Sequence, residues 1–411
     1  MNCQIKSVIT ALLLLIAFPA SHAEVLGGYR AYGQHVETNN DSIFQTPEEF
    51  AVFPRNSLRQ EGWISYQQSG LNLLITGRYT VREDDDPKDK VILNELYYDF
   101  SADVFDFTIG KKILGWGVGQ AFRPLDVIQR EDRRRLIPTD LEGLPQISAE
   151  YFTDSSSHTA IYARRTELDQ VDFDGERDEV AYKYYKLIGD WDTLAVAHWS
   201  EDEGFAGGAG AALVISNEME IHGSFLHREQ CIRSLNSLTI NGGLLSTSDP
   251  FIDVDVGNCS KVLIGGSWTG ESGIGLLFEA WHDGEAHSEK EWDQQRELGV
   301  KQRALLNVPA VPSDAVYLNL KADQQFFDQP VLLENNLFMM LSYDGNRLDP
   351  SIDMLFTPND QGIAITARLN YELNSHMILL GAVRYFTGDT DSAYSEIADQ
   401  SFAFAGIDLA F

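Results

Sequence analysis

From Glu24 onward, apolar and polar residues alternate with period two over most of the chain, the mark of strands that face two different environments. Between Leu71 and Arg82, one face carries Leu71, Leu73, Ile75, Gly77, Tyr79 and Val81. The other carries Asn72, Leu74, Thr76, Arg78, Thr80 and Arg82. Ile363 to Tyr371 repeats the pattern, and so does Met377 to Tyr385, with Arg384 on its polar side. Candidate strands lie near 25–36, 57–69, 71–83, 91–101, 104–116, 146–154, 158–167, 179–188, 192–201 and 207–216. Further along they lie near 218–229, 260–271, 273–283, 314–326, 333–344, 351–358, 362–373, 377–387 and 401–411.

The connections then separate a soluble sandwich from a membrane barrel. Ser69-Gly70, Ser101 to Asp103, Gly189-Asp190, Asn217-Glu218, Ser272-Gly273 and Asn374-Ser375 read as tight turns. Longer polar segments at 38–56, 84–90, 118–145, 168–178, 230–259, 285–312 and 388–400 fall between them. Short turns at one end and long loops at the other are the pattern of transmembrane antiparallel β-barrels, with periplasmic turns and extracellular loops. Both ends of such a chain lie on the turn side, so the strand number is even. The turn–loop alternation fails only between 314 and 361, which places one surplus strand there. Eighteen strands are expected, with sixteen as the alternative.

The last segment, Ser401 to Phe411, puts Ala403, Ala405, Ile407, Leu409 and the terminal Phe411 on one face. It resembles the closing strand of Gram-negative outer-membrane barrels, whose assembly machinery reads a terminal aromatic; the resemblance implies that role for Phe411. The competing reading is a secreted sandwich ending on an edge strand. A second resemblance covers about fifty residues. Leu93 to Phe100 carries Glu95, Tyr97 and Asp99; a tight turn follows, then Phe107 to Lys112, Trp116-Gly117 and the Phe122-Arg-Pro-Leu-Asp126 loop. This succession is similar to a segment of porin-like outer-membrane families, including the alginate-export-like barrels, which share no single substrate.

Charge and composition narrow the function. The chain holds 62 acidic and 31 basic side chains, a balance opposed to nucleic-acid binding, which needs clustered cations. With 44% hydrophobic residues it is no disordered polymer. Residues 1–23 read as a cleaved secretory signal, with Lys6, an apolar core from Val8 to Phe18, and Ala20 to Ala23 as cleavage site. Residues 24–411 then form the barrel, of net charge −32 (30 basic minus 62 acidic). After the signal, no segment approaches the ~18 apolar residues of a spanning helix. Cys231 and Cys259 remain in an exported chain, and a disulfide is the natural reading; a metal pair lacks partners at ligand spacing.

In so wide a barrel the polar phase lines water. The wall candidates are Arg78, Arg82, Lys112, Lys183, Arg368 and Arg384, with Glu95, Asp99, Asp106 and Asp408. Segment 118–145 carries Arg123, Arg130, Arg133, Arg134 and Arg135 beside Asp126, five arginines within thirteen residues of an acidic protein. The expectation is that this loop folds into the lumen, narrows it, and faces its guanidinium groups to Glu95 and Asp99 or to anionic solutes. The plainer alternative is a surface loop binding lipopolysaccharide phosphates. Residues 286–306 are expected to form a short helix around Trp292.

Signals for catalysis are absent: Gly265-Gly-Ser267-Trp-Thr-Gly270 misses Gly-x-Ser-x-Gly by one residue, and no His-Glu-x-x-His occurs. No cofactor or metal is expected, and no enzyme. The reading is a porin-like channel for passive transport of small solutes, with an anion preference. It would meet outer-membrane lipid, lipopolysaccharide and the assembly machinery. The alternatives are an export conduit working with an envelope partner and a non-conducting structural or adhesive barrel. A homo-oligomer stays open.

Overall fold

The computed structural model of the chain describes residues 23–50, 54–83, 85–131, 134–137, 141–165 and 177–411. The signal segment expected at 1–23 lies outside the described residues apart from Ala23, and so does Arg133.

The alternating segments pair into one antiparallel sheet of eighteen strands. The first nine are β1 (Glu24–Thr38), β2 (Asn56–Gln68), β3 (Leu71–Arg82), β4 (Lys88–Ala102), β5 (Phe105–Lys112), β6 (Leu144–Phe152), β7 (Ser156–Arg165), β8 (Arg177–Ile188) and β9 (Trp191–Ser200). Next come β10 (Gly204–Ser216) and β11 (Met219–Arg228), then a separate hairpin, β12 (Ile232–Asn236) and β13 (Phe251–Asp255). The wall resumes with β14 (Cys259–Thr269), β15 (Ile274–Asp283), β16 (Asn335–Tyr343), β17 (Leu348–Thr357), β18 (Gly362–Asn374), β19 (Met377–Gly388) and β20 (Asp399–Ala410).

The ring closes because β1 takes β2 on one side and β20 on the other. At this seam the backbones of Gly27 and Phe411 exchange two hydrogen bonds of 2.8 Å. Closure satisfies every strand edge, which a sheet in hydrocarbon requires. The Phe411 ring lies against Gly27, where a Cβ would come within 2.8 Å of it.

Alternation sets the two faces, and their polarity is the reverse of a soluble protein's. On β15, Leu276 and Phe278 stand exposed outside, while Leu277, Glu279, Trp281 and Asp283 are buried inside. Toward the turn end of β4–β8 an aromatic band crosses the outer face: Tyr98, Phe100, Phe107, Phe105, Tyr151, His158 and Tyr184, neighbouring rings 4.9–6.1 Å apart. Such a girdle suits the boundary between hydrocarbon and headgroups. The tight turns are tight for local reasons: Ser69 and Gly70 both take left-handed φ, 49° and 89°, as a two-residue hairpin turn demands.

Two expectations change. Segment 314–326 is not a strand; it is a helix (Ser313–Asp323) running into a 3-10 turn (Gln324–Asp328). Val316, Leu318 and Leu320 satisfy period two, but the buried set is Val316, Asn319, Leu320 and Asp323, the helical stripe, and Leu318 faces solvent. Removing it leaves the expected eighteen. Strand β5 also stops at Lys112 rather than 116, where the chain turns inward. The helices are then α1 (Ser237–Asn241) inside the β12–β13 arm, α2 (Glu289–Leu305) and α3 (Ser313–Asp323). Helix α2 is the one expected around Trp292, and Ser288 and Glu291 close its first turn as a capping box.

Candidate functional site

Residues 113–143 join β5 to β6, and their described part, 113–131, 134–137 and 141–143, runs along the inner face of the barrel. Both ends of the segment are tied to β4: Glu95 accepts from Ile113 N–H at 2.9 Å, and Asn94 donates to the Leu141 carbonyl at 2.9 Å. Gln129 clasps the two limbs together, accepting from Leu114 N–H and donating to the Glu142 carbonyl, each at 2.8 Å. Asp126 accepts from Trp116 and Gly117 N–H at 2.5 and 2.6 Å. Burial nonetheless pushes its carboxyl above the usual range.

The middle of the segment needs a wall with side chains missing. Leu125, Val127 and Ile128 pack onto Ile161, Ala163, Ala181, Leu194, Val196 and Leu226. Leu125 lies over Gly208 and Gly210 of β10, where a Cβ would stand 2.8 and 2.9 Å from its methyl carbons. Gly119 is required in the same way, since a Cβ there would meet Phe122 O at 1.9 Å and Leu263 at 2.5 Å. Beyond it, Glu279 of β15 accepts from the N–H groups of Gln120, Ala121 and Phe122 at 2.6, 2.9 and 3.2 Å. His222 lies 2.9 Å from the same carboxylate, and Phe122 stacks on Trp281 at 5.2 Å. The far end reaches the opposite wall: Leu136 and Ile137 pack near Tyr32, Ala382 and Phe404, and Arg384 donates to the Arg134 carbonyl.

At the loop end of β7–β15 a charge network meets this segment. Glu179 takes Arg165 and Arg177 at 2.8 Å each, with His198 at 3.5 Å. Glu203 takes Arg177 at 2.9 Å, Arg130 at 3.5 Å, and Arg228. Glu285 takes Arg130 and Lys261 at 2.7 Å and Arg228 at 3.0 Å, and Lys261 reaches Asp283 at 3.3 Å. Among the described residues, five cations (Arg130, Arg165, Arg177, Arg228, Lys261) thus face four carboxylates (Glu179, Glu203, Asp283, Glu285). Burial alone would raise the Glu285 carboxyl, but Arg130, Lys261 and Arg228 hold it well below the usual range.

The other candidates are spread around the wall. Arg78 pairs with Glu61 at 2.6 Å, Arg30 with Asp408 at 2.7 Å, and Arg368 with Asp353. Lys112 lies 3.6 Å from Asp99 and 4.4 Å from the centre of the Tyr97 ring, and Lys183 lies over Trp116 at 5.6 Å. Arg82 is exposed at the loop end of β3. The expected partners of the arginines are corrected: Glu95 is taken by a backbone N–H and Asp99 by Lys112 and Thr108. Arg130 goes instead to Glu203 and Glu285, Arg123 to the Gly119 carbonyl with Asp126 at 3.9 Å, and Arg134 to the Pro330 carbonyl and the Trp281 face; Arg135 is exposed. Sequence reading passed over Glu279, although a lone acid in Leu-Leu-Phe-Glu-Ala-Trp was its signal.

The long loops close over this end as a cap. Trp292, Val316, Leu320 and Phe326 of the 284–334 connection share one apolar core with Phe44, Tyr394 and the inner-wall residues Trp281 and Phe338. Arg303 gathers the β1–β2 loop by donating to the carbonyls of Ile43, Ser42 and Gln45 at 3.0, 3.1 and 2.5 Å. Cys231 and Cys259 are bonded, with Cα atoms 6.1 Å apart, and pin the base of the β12–β13 arm to the start of β14.

A closed eighteen-stranded antiparallel ring, apolar outside and charged within, is the architecture of porin-like outer-membrane β-barrels. Solved structures agree at the level of the fold. OccAB1 of Acinetobacter baumannii is 8% identical over 95% of this chain and 97% of its own, with a TM-score of 0.55. A BenF-like porin of Pseudomonas fluorescens is 8% identical over 95% and 99%, with a TM-score of 0.53. Wzi of Escherichia coli, described as a carbohydrate-binding β-barrel involved in group 1 capsule assembly, is 10% identical over 100% and 89%, with a TM-score of 0.54. No protein-family model matches the chain, and no curated protein matches it.

Proposed function

We propose that the chain is a Gram-negative outer-membrane channel for the passive passage of small solutes, with anions preferred. In this reading residues 1–23 are removed on export, Phe411 marks the chain for the assembly machinery, and lipid and lipopolysaccharide surround the wall. The observation that carries the reading is the inner-face segment 113–143. Its described part threads a barrel too wide for its own side chains to fill, and it brings Arg130 to Glu203 and Glu285 beside Arg228 and Lys261. Arg123, Arg130, Arg134 and Arg135 would line the narrowed part, with Arg78, Arg82, Lys112, Lys183, Arg368 and Arg384 on the wall around it. No covalent chemistry is assigned to any of them.

The packed cap favours a second reading, in which the barrel stays shut until an envelope partner opens it for export, or serves a structural role. Planar-bilayer recording under a salt gradient separates the two. A channel with anion preference that weakens in Arg130→Ala is the expected result. Cation preference unchanged by the substitution would reject the arginine constriction, and a barrel silent at all voltages would favour the second reading.

A further inference from the structure

The cap is assembled across one buried carboxyl group. The β12–α1–β13 arm leans on the helical pair through Asn236, whose amide donates to Asp323 at 2.7 Å, and through Ser246, whose backbone exchanges hydrogen bonds of 2.8 and 3.0 Å with Asn319. Gln302 of α2 adds a bond to the Leu244 carbonyl at 3.1 Å. Asp323 is fully buried at the last position of α3, where the helix carbonyls already concentrate negative potential. Its second oxygen has no hydrogen-bond partner.

The groups facing Asp323 are the Asn236 amide from the arm and the Gln295 amide from α2. Among the described residues no charged or titratable group faces it. The nearby charges are committed elsewhere: Arg233 to Glu291 at 2.7 Å and Glu334 at 2.8 Å, and Arg296 to Asp391 and Glu396. The buried His287 ring lies flat on Phe326 at 4.0 Å. One neutral amide thus holds, and a second faces, a carboxyl group without a counter-ion, in the seam between two halves of the cap.

We propose that Asp323 is a proton-operated latch: protonated, it holds the arm against α2 and α3 over the barrel mouth, and ionised, it lets the arm go. Burial pushes the Asp323 pKa up to about 7, while a solvated carboxyl in the lifted arm returns to about 4. The sign follows from that order. The closed cap binds the proton more tightly, so closure is strongest below about pH 4 and weakens as the pH climbs to about 7, levelling beyond. Only the statement that the arm gates a channel rests on the function proposed above; the latch does not.

Hydrogen exchange of residues 232–255 in the refolded full-length barrel, corrected for intrinsic exchange, tests this directly. The wild-type opening constant should rise about tenfold per pH unit between about 4.5 and 6.5, then flatten. Asp323→Asn keeps the acceptor for Asn236 and should stay protected at every pH. Asn236→Ala removes the donor instead and should leave the arm loose even in acid. Wild-type exchange independent of pH, or an Asp323→Asn profile that tracks wild type, would overturn the latch. If the arm releases on schedule while bilayer current never appears, the latch stands and the channel reading falls.

Discussion

Leu125 reaches the wall only because Gly208 and Gly210 leave room for it, and that makes one leucine the test of how the inner segment is held. Leu125→Ala removes a fully buried side chain, and such a truncation costs about 2–5 kcal/mol of local stability. Exchange of amides 113–131 should accelerate accordingly while strand amides keep their protection. Unchanged exchange would mean the segment is held by its hydrogen bonds to Glu279 and Glu95 alone. The arginines of this segment were legible as an anomaly of composition, but their partners were not. A period-two pattern tells which face a side chain takes; it does not tell which of many carboxylates on that face lies within reach. Glu95 lies only 35 positions before Arg130 and is used by a backbone N–H, whereas Arg130 finds Glu285 across 155 positions.

The strands could be read from the chain and the cap could not, because the two kinds of element are specified differently. A wall strand meets lipid on one side and water or polar groups on the other, so its alternation is imposed by solvent alone. Helix α3 meets only other cap segments, and its apolar residues fit either period until those partners are known. The β12–β13 arm was hidden between two cysteines 28 positions apart, and it is the disulfide that fixes its base. Closing a loop of that size constrains the unfolded arm and is worth about 3.6 kcal/mol to the folded one. Reduction, or Cys231→Ser with Cys259→Ser, should therefore make the arm a preferred site of proteolysis while the barrel itself stays resistant. Equal loss of resistance in both would show that arm and wall unfold as one unit.

For the whole molecule, the outer face decides where it resides. Among the described residues within the wall strands, Ile264 is the most exposed apolar side chain, at 66%, and sits on the outer face midway along β14. Ile264→Arg should cost about 2–4 kcal/mol of folding free energy in a bilayer, measured by refolding into vesicles, and far less in detergent. Equal stability in both would mean that this face does not meet hydrocarbon. The seam between β1 and β20 has a different consequence. Because Gly27 and Phe411 already share two hydrogen bonds, the first and last described strands meet as neighbours in the ring. The order in which its strands are written is thus separable from the ring they make. A short peptide bridging those ends, with new termini opened at Ser69-Gly70, would encode the same wall beginning at β3. It would also place Phe411 in mid-sequence, so under the assembly role proposed for that residue the rearranged chain would keep its shape and lose its delivery.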